Sequence, residues 1–201
     1  MKYKTRFLAF FGAMTLFNLA SNYAHPVTPT IIQNLGLHDY MFGLALATMM
    51  TANFLFSPFW GKINQYISSG RSLCICCIGY GLAQLGFACS TTELSVLLYR
   101  LLAGVFVGGI FVGQLTYVVN AAKPEDQGKY LTISATINAV AGAFGYLIGG
   151  IYRILRYIET KNVVTLVVGI VCLVTGIGNF AAWIVDLITE ITQNKITVLA
   201  D

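Results

Sequence analysis

Six runs of almost wholly apolar residues, near 7–24, 41–60, 72–89, 94–119, 130–151 and 163–185, fill nearly the whole chain. Only short polar connectors part them. A hydrocarbon core about 30 Å thick takes roughly 20 apolar residues to cross as a helix, so each run has the length of one crossing. The first five contain no Asp or Glu. None alternates with period two, which argues against the strands of a closed barrel. Composition agrees: 57% of residues are hydrophobic, 10% are charged and the mean hydropathy is +0.73, outside the range of soluble domains. The expected fold is an all-α membrane protein with residues 1–185 as one six-helix bundle and 186–201 as a cytoplasmic tail or linker.

The start, MKYKTR followed by FLAFFGAMTLF, has the basic head and apolar middle of a signal peptide. Asn18 and Asn22 stand where small residues would precede a cleavage site, so the segment reads as a retained helix. With the N-terminus inside, Lys2, Lys4, Arg6, Lys62, Arg71, Lys123, Lys129 and Lys195 fall on the cytoplasmic side. Arg153, Arg156 and Lys161 fall outside. This excess predicts a multi-pass protein of the plasma (inner) membrane with both termini cytoplasmic. Cys74, Cys76, Cys77, Cys89 and Cys172 match no zinc or disulfide spacing and read as packing residues, with acylation of the first three as the lesser alternative.

The connector SPFWGKINQYISSGR, residues 57–71, places Gly61, Gly70 and Arg71 in a polar elbow between the second and third runs. A glycine there permits close backbone approach, and Arg71 can sit near the negative carbonyl end of a neighbouring helix. The elbow resembles the signature loop of the major facilitator superfamily, with Asn64 and Gln65 where an acidic residue is expected and one or two extra residues before Gly70. Arg100 and Gly104 in the fourth run are similar to the family's Arg-x3-Gly helix motif. AGAFGYLIGG, residues 141–150, is similar to its fifth-helix glycine motif, with Tyr146 where the drug antiporter branch has proline. The resemblance covers the chain as the N-terminal six-helix half of a twelve-helix fold. It implies two facing bundles with a solute bound between them, and the first and fourth helices lining the path.

Polar residues cluster on those helices. Asn18 and Asn22, four apart, share one helix face. Arg100 and Gln114 lie in the fourth run and Asn138 in the fifth. These five are the expected substrate pathway, though each amide serves equally well as interhelical hydrogen-bonding glue. A charge in the bilayer interior costs about 2.5 to 3.5 kcal/mol, so Arg100 either faces a cavity or partner or snorkels to the outer interface near Glu93. Gly61, Gly70 and Arg71 form the expected inner-loop gate. Gly104, Gly108, Gly145 and Gly149 are expected to pack helices, with Gly104/Gly108 and Gly109/Gly113 as small-xxx-small pairs. His25, beside Pro26 at the expected outer end of the first helix, is the one proton-carrying candidate in the spans.

No P-loop, dinucleotide fingerprint, HExxH pair or nucleophile elbow occurs, so no enzyme chemistry, cofactor or metal is expected. The net charge of +4, from 12 basic and 8 acidic residues, suits anionic lipid headgroups and gives no reason to expect nucleic acid as a partner. The expected function is secondary transport of a small-molecule substrate by alternating access. It needs a second six-helix bundle, from a homodimer or a separate half. The alternative is a non-transporting truncated membrane protein that binds or regulates a partner through helix packing.

Overall fold

The structure, a computed structural model, describes residues 2–38 and 40–161 together with positions 163, 166, 167 and 170. Apart from those four positions, the sixth expected span, Cys172 and the tail at 186–201 lie outside the described residues. Five long helices follow in order: α1 Lys2–Asn34, α2 Tyr40–Ile63, α3 Ser69–Ala88, α4 Glu93–Ala121 and α5 Gln127–Thr160, with a 3-10 turn at Pro124–Asp126 before α5. Among the described residues there is no strand. Among the described residues, four stretches are long and apolar enough to cross a membrane: Tyr40–Ile63, Ser69–Ala88, Glu93–Ala121 and Pro124–Tyr152. α1 has ample length, but Asn18, Ser21 and Asn22 dilute its apolarity and keep it out of this group.

The helices begin and end by local chemistry rather than at the limits of apolarity. α1 runs to Asn34 instead of stopping near residue 24, and so passes through Pro26 and Pro29. His25 therefore lies inside a helix, which corrects the expected helix-end position. Interior prolines are tolerated in membrane helices because neighbouring groups take up the freed backbone carbonyls. The helix stops where Gly36, at φ +64°, adopts the left-handed conformation. Its N–H donates to the Gln33 carbonyl and the Leu37 N–H to the Ile32 carbonyl, a Schellman closure. α4 begins with a capping box: the Thr92 hydroxyl accepts from the Ser95 N–H at 3.2 Å, and the Thr92 N–H donates to the Ser95 hydroxyl at 3.1 Å.

The contacts divide the chain into two compact units, residues 1–30 with 132–201, and residues 31–131. In the second unit α4 packs along both α2 and α3. Contacts between α3 and α4 pair Gly86 with Tyr99, Gly79 with Phe106 and Cys76 with Gly109. The positions rise in one helix as they fall in the other, so the two are antiparallel. Against α2 they rise together, Met49 with Gly104 and Asn53 with Gly108, so those two are parallel. Up-down-up threading of this kind is what successive crossings require. Half of α4's most apolar stretch is buried, against 17% for α2, which makes α4 the central element of its unit.

One end of the unit is closed by Ile32, Met41, Ala45, Phe87 and Val96, with Leu35, Leu37, Leu97 and Tyr99 packed around them. Above this cluster His38 Nδ1 lies 2.9 Å from Glu93 Oε1, and the Tyr40 hydroxyl donates to Glu93 Oε2 at 3.4 Å. Large apolar side chains such as Phe54, Leu55 and Phe59 point outward, as side chains bathed in lipid do. The cysteines do not all pack inward as expected. Cys76 is buried on the α3 face shared with Ser72, Tyr80, Ala83 and Phe87, whereas helical spacing turns Cys74, Cys77 and Cys89 outward.

Gly36→Ala should destabilise the α1–α2 turn by about 1 to 2 kcal/mol, because a Cβ is strained at positive φ. Thr92→Ala should cost about 1 kcal/mol through loss of the cap. Denaturant unfolding in detergent, followed by circular dichroism, measures both.

Candidate functional site

Arg100 is the only charged residue among the described residues that are buried, with 2% of its surface exposed. α4 carries it two turns from its start, with the apolar residues Val96, Ala103 and Val107 buried nearby. Its guanidinium carbon stands 3.8 Å above the centre of the Phe87 ring, a cation–π contact that partly replaces lost hydration. Nη1 reaches the Met49 sulfur at 3.7 Å, which ties α4 to α2. Arg100 does not snorkel. On α3, Tyr80, Gln84 and Phe87 recur at helical spacing, and Gln84 Nε2 donates to the buried Tyr80 hydroxyl at 2.6 Å.

Gly104 makes this arrangement possible. A Cβ there would collide with the Met49 carbonyl oxygen and meet the Ala52 Cβ at 2.7 Å, so α2 and α4 touch backbone to backbone. One turn on, a Cβ at Gly108 would stand 2.9 Å from both Asn53 Oδ1 and Ser57 Oγ. The other glycine pair faces α3, Gly109 at Cys76 and Gly113 at Leu73, and Gly109 also meets Trp60 of α2. Trp60 adds a bond from its indole N–H to the Val105 carbonyl at 2.8 Å. Gln114 is buried in α4, roughly 21 Å along the helix from Arg100 at 1.5 Å per residue.

The first unit holds the amides. Asn18 Nδ2 donates to Asn138 Oδ1 at 2.7 Å and to the Met14 carbonyl at 2.9 Å, joining α1 to α5. Asn22 Nδ2 donates to the Asn18 carbonyl at 2.8 Å. Gly145 seats this part of α1, since a Cβ there would lie 2.8 Å from the Asn22 Cβ and 3.0 Å from the Leu19 carbonyl oxygen. Three of the five expected pathway residues thus meet in one polar seam. Gly149 lies in α5, and its surroundings are outside the described residues.

The elbow differs from expectation. The turn runs from Asn64 to Ser68, and Gly70 and Arg71 belong to the first turn of α3, with Arg71 exposed. A Cβ at Gly61 would meet only the Val112 side chain at 3.9 Å, and one at Gly70 would meet open space. The close backbone approach expected at Gly61 therefore occurs nearer the start of α2, at Met49 opposite Gly104. The Asn64 side-chain amide is buried, and neither its nitrogen nor its oxygen has a hydrogen-bond partner. Sequence reading missed Met49, Tyr80, Gln84 and Phe87 as the surroundings of Arg100. The helical spacing of the last three inside an apolar run was the available signal.

A family model of the Major Facilitator Superfamily matches residues 7–197. The chain belongs to that superfamily, and with its apolar helices it is a multi-pass membrane protein. It is similar to the Staphyloferrin B transporter of Staphylococcus aureus, 28% identical over 84% of this chain and 40% of that protein. It is also similar to the Quinolone resistance protein NorA of the same organism, 24% identical over 73% of this chain and 36% of the relative. The chain spans about two fifths of the length of the curated relatives it matches.

Gly104→Ala should destabilise the bundle by about 1 to 3 kcal/mol through backbone overlap, while Gly70→Ala should leave stability within experimental error. A double-mutant cycle on Asn18 and Asn138 should give a coupling near 0.6 kcal/mol, the usual size for a hydrogen bond between membrane helices. Unfolding midpoints in SDS check all three.

Proposed function

We propose that this chain is one helical half of a secondary carrier in the plasma membrane, with both termini cytoplasmic. A second six-helix bundle, from another copy or another half, completes a path for a small solute by alternating access. Membership of the superfamily supports this, as do relatives named for transport and resistance that are more than twice as long. The observation that carries the reading is the buried Arg100. A charge enclosed in an apolar helix costs free energy that a purely packing element has no reason to bear. The amide seam of Asn18, Asn22 and Asn138 supplies neutral hydrogen-bonding groups on the helix expected to line the path, and Gln114 belongs to the same proposed pathway.

The elbow is the proposed inner gate. Gly61, Gly70 and Arg71 flank the buried amide of Asn64, whose lack of a hydrogen bond costs about 1 to 3 kcal/mol that a rearrangement of the elbow would relieve. The alternative of a non-transporting chain that binds a partner through its glycine faces has less to stand on. Gly104 and Gly108 are already filled by α2, Gly109 and Gly113 by α3, and Gly145 by α1.

Proteoliposomes holding this chain with its completing bundle test the reading. Uptake of a fluorescent quinolone or of Staphyloferrin B should saturate with concentration and fall at least tenfold in Arg100→Ala, with helical content preserved. Unchanged uptake in that variant, or none of either solute in the wild type, would sink it.

A further inference from the structure

We propose that Cys74 and Cys77 form a two-thiol site on the exposed face of α3 that captures neutral trivalent arsenicals of the arsenoxide class as a cyclic dithiolate. The site uses none of the residues of the proposed solute path and holds whether or not the chain is a carrier. In LCICC, residues 73–77, three cysteines stand close together, and the fold sorts them. Cys76 is fully buried, with its sulfur where a Cβ at Gly109 of α4 would collide. Cys74 and Cys77 are exposed and three positions apart, which puts both on one helix face with Cβ atoms about 5 to 6 Å apart. Cys89 is also exposed, but as the C-cap of α3 it stands at the far end of the helix.

The spacing selects among the reactions open to two thiols. A disulfide needs Cβ atoms roughly 3.5 to 4.5 Å apart, closer than a helix holds them, so joining the sulfurs directly would distort this part of α3. A bridging atom removes the mismatch, since each sulfur then has only to reach the bridge. The surroundings select the bridge. Ile75, Ile78 and Leu82 are exposed beside the pair, on a helix apolar enough to cross a membrane. A hydrated cation would have to shed its water there and drive off the thiol protons. An arsenoxide carries no net charge and needs neither. Both sulfurs bond to arsenic, both S–H bonds break, and the arsenic-bound oxygen leaves with the two protons as water. Arsenic stays trivalent, and nothing is oxidised or reduced. There is room for the group that arsenic carries: a Cβ at Gly70, one turn before Cys74, or at Gly81, one turn after Cys77, would meet nothing within 4 Å. An aryl group suits these apolar neighbours.

Phenylarsine oxide bound to the full chain in lipid nanodiscs, read by intact-protein mass spectrometry, tests the site. A single phenylarsenic should stay through a wash with 2-mercaptoethanol and leave with 1,2-ethanedithiol, because each arsenic–sulfur bond that opens is re-formed within the molecule. The monothiol concentration that releases half of it should fall at least about tenfold in Cys74→Ser and in Cys77→Ser, and stay within about twofold of wild type in Cys89→Ser and Cys172→Ser. Alkylation of the wild type with N-ethylmaleimide, mapped by peptide mass to Cys74 and Cys77, should block the adduct, and it stands in for any variant that fails to fold. No adduct, release of the wild-type adduct by the monothiol, full retention in folded Cys74→Ser or Cys77→Ser, loss in folded Cys89→Ser or Cys172→Ser, or an adduct formed after both thiols are alkylated overturns the assignment.

Discussion

The second unit is organised by the contact between α4 and its two neighbours, made at glycines. In lipid there is no hydrophobic drive for one apolar helix to prefer another over the surrounding tails, so association depends on close van der Waals fit. α4 meets that requirement on two sides at once. Gly104 and Gly108 admit the α2 backbone at Met49 and Asn53, and Gly109 and Gly113 admit Cys76 and Leu73 of α3. The reverse fit also occurs, where Gly79 and Gly86 of α3 admit Phe106 and Tyr99 of α4. The parallel and antiparallel directions of the three helices follow from these pairings.

That close fit allows a charge to be buried. With α2 drawn against Gly104, the Met49 side chain comes within reach of Arg100, and the antiparallel register of α3 sets Phe87 over the guanidinium. A ring face and a polarisable sulfur offset part of the lost hydration without neutralising the charge. Phe87 also belongs to the apolar cluster with Ile32, Met41, Ala45 and Val96. The residue that stacks on the arginine is thus fixed by the packing at that end of the unit, beneath the His38–Glu93 pair. In the first unit α1 and α5 are joined differently, by the Asn18–Asn138 bond and the seat at Gly145. One unit is held mainly by fit around a charge, and the other carries an amide-to-amide bond.

Much of this was legible in the residues. Apolar run length gave the helices up to α5, because in a bilayer the backbone has no other way to satisfy its hydrogen bonds in a lone segment. The small-xxx-small spacing marked α4 as a packing helix, and the four-residue spacing of Asn18 and Asn22 marked one face of α1. Helix ends were less legible. α1 continues through two prolines to Asn34, just before the closing turn at Gly36, since hydropathy reports the width of the hydrocarbon and not the last backbone hydrogen bond. The role expected of Gly61 was misplaced for a related reason: a glycine permits close approach but does not say at which level two helices touch.

By itself the sequence determined that this chain is a membrane helix bundle of the superfamily, that its connectors carry the basic residues, and that one arginine sits among apolar neighbours. Those properties are one-dimensional, set by composition, run length and spacing. Only the tertiary structure decided which partner fills each glycine face, that Asn18 reaches Asn138 across 120 positions of chain, and that Arg100 is covered by Phe87 and Met49 instead of reaching the surface. Such choices depend on the register and direction in which distant segments meet, and no local pattern encodes either.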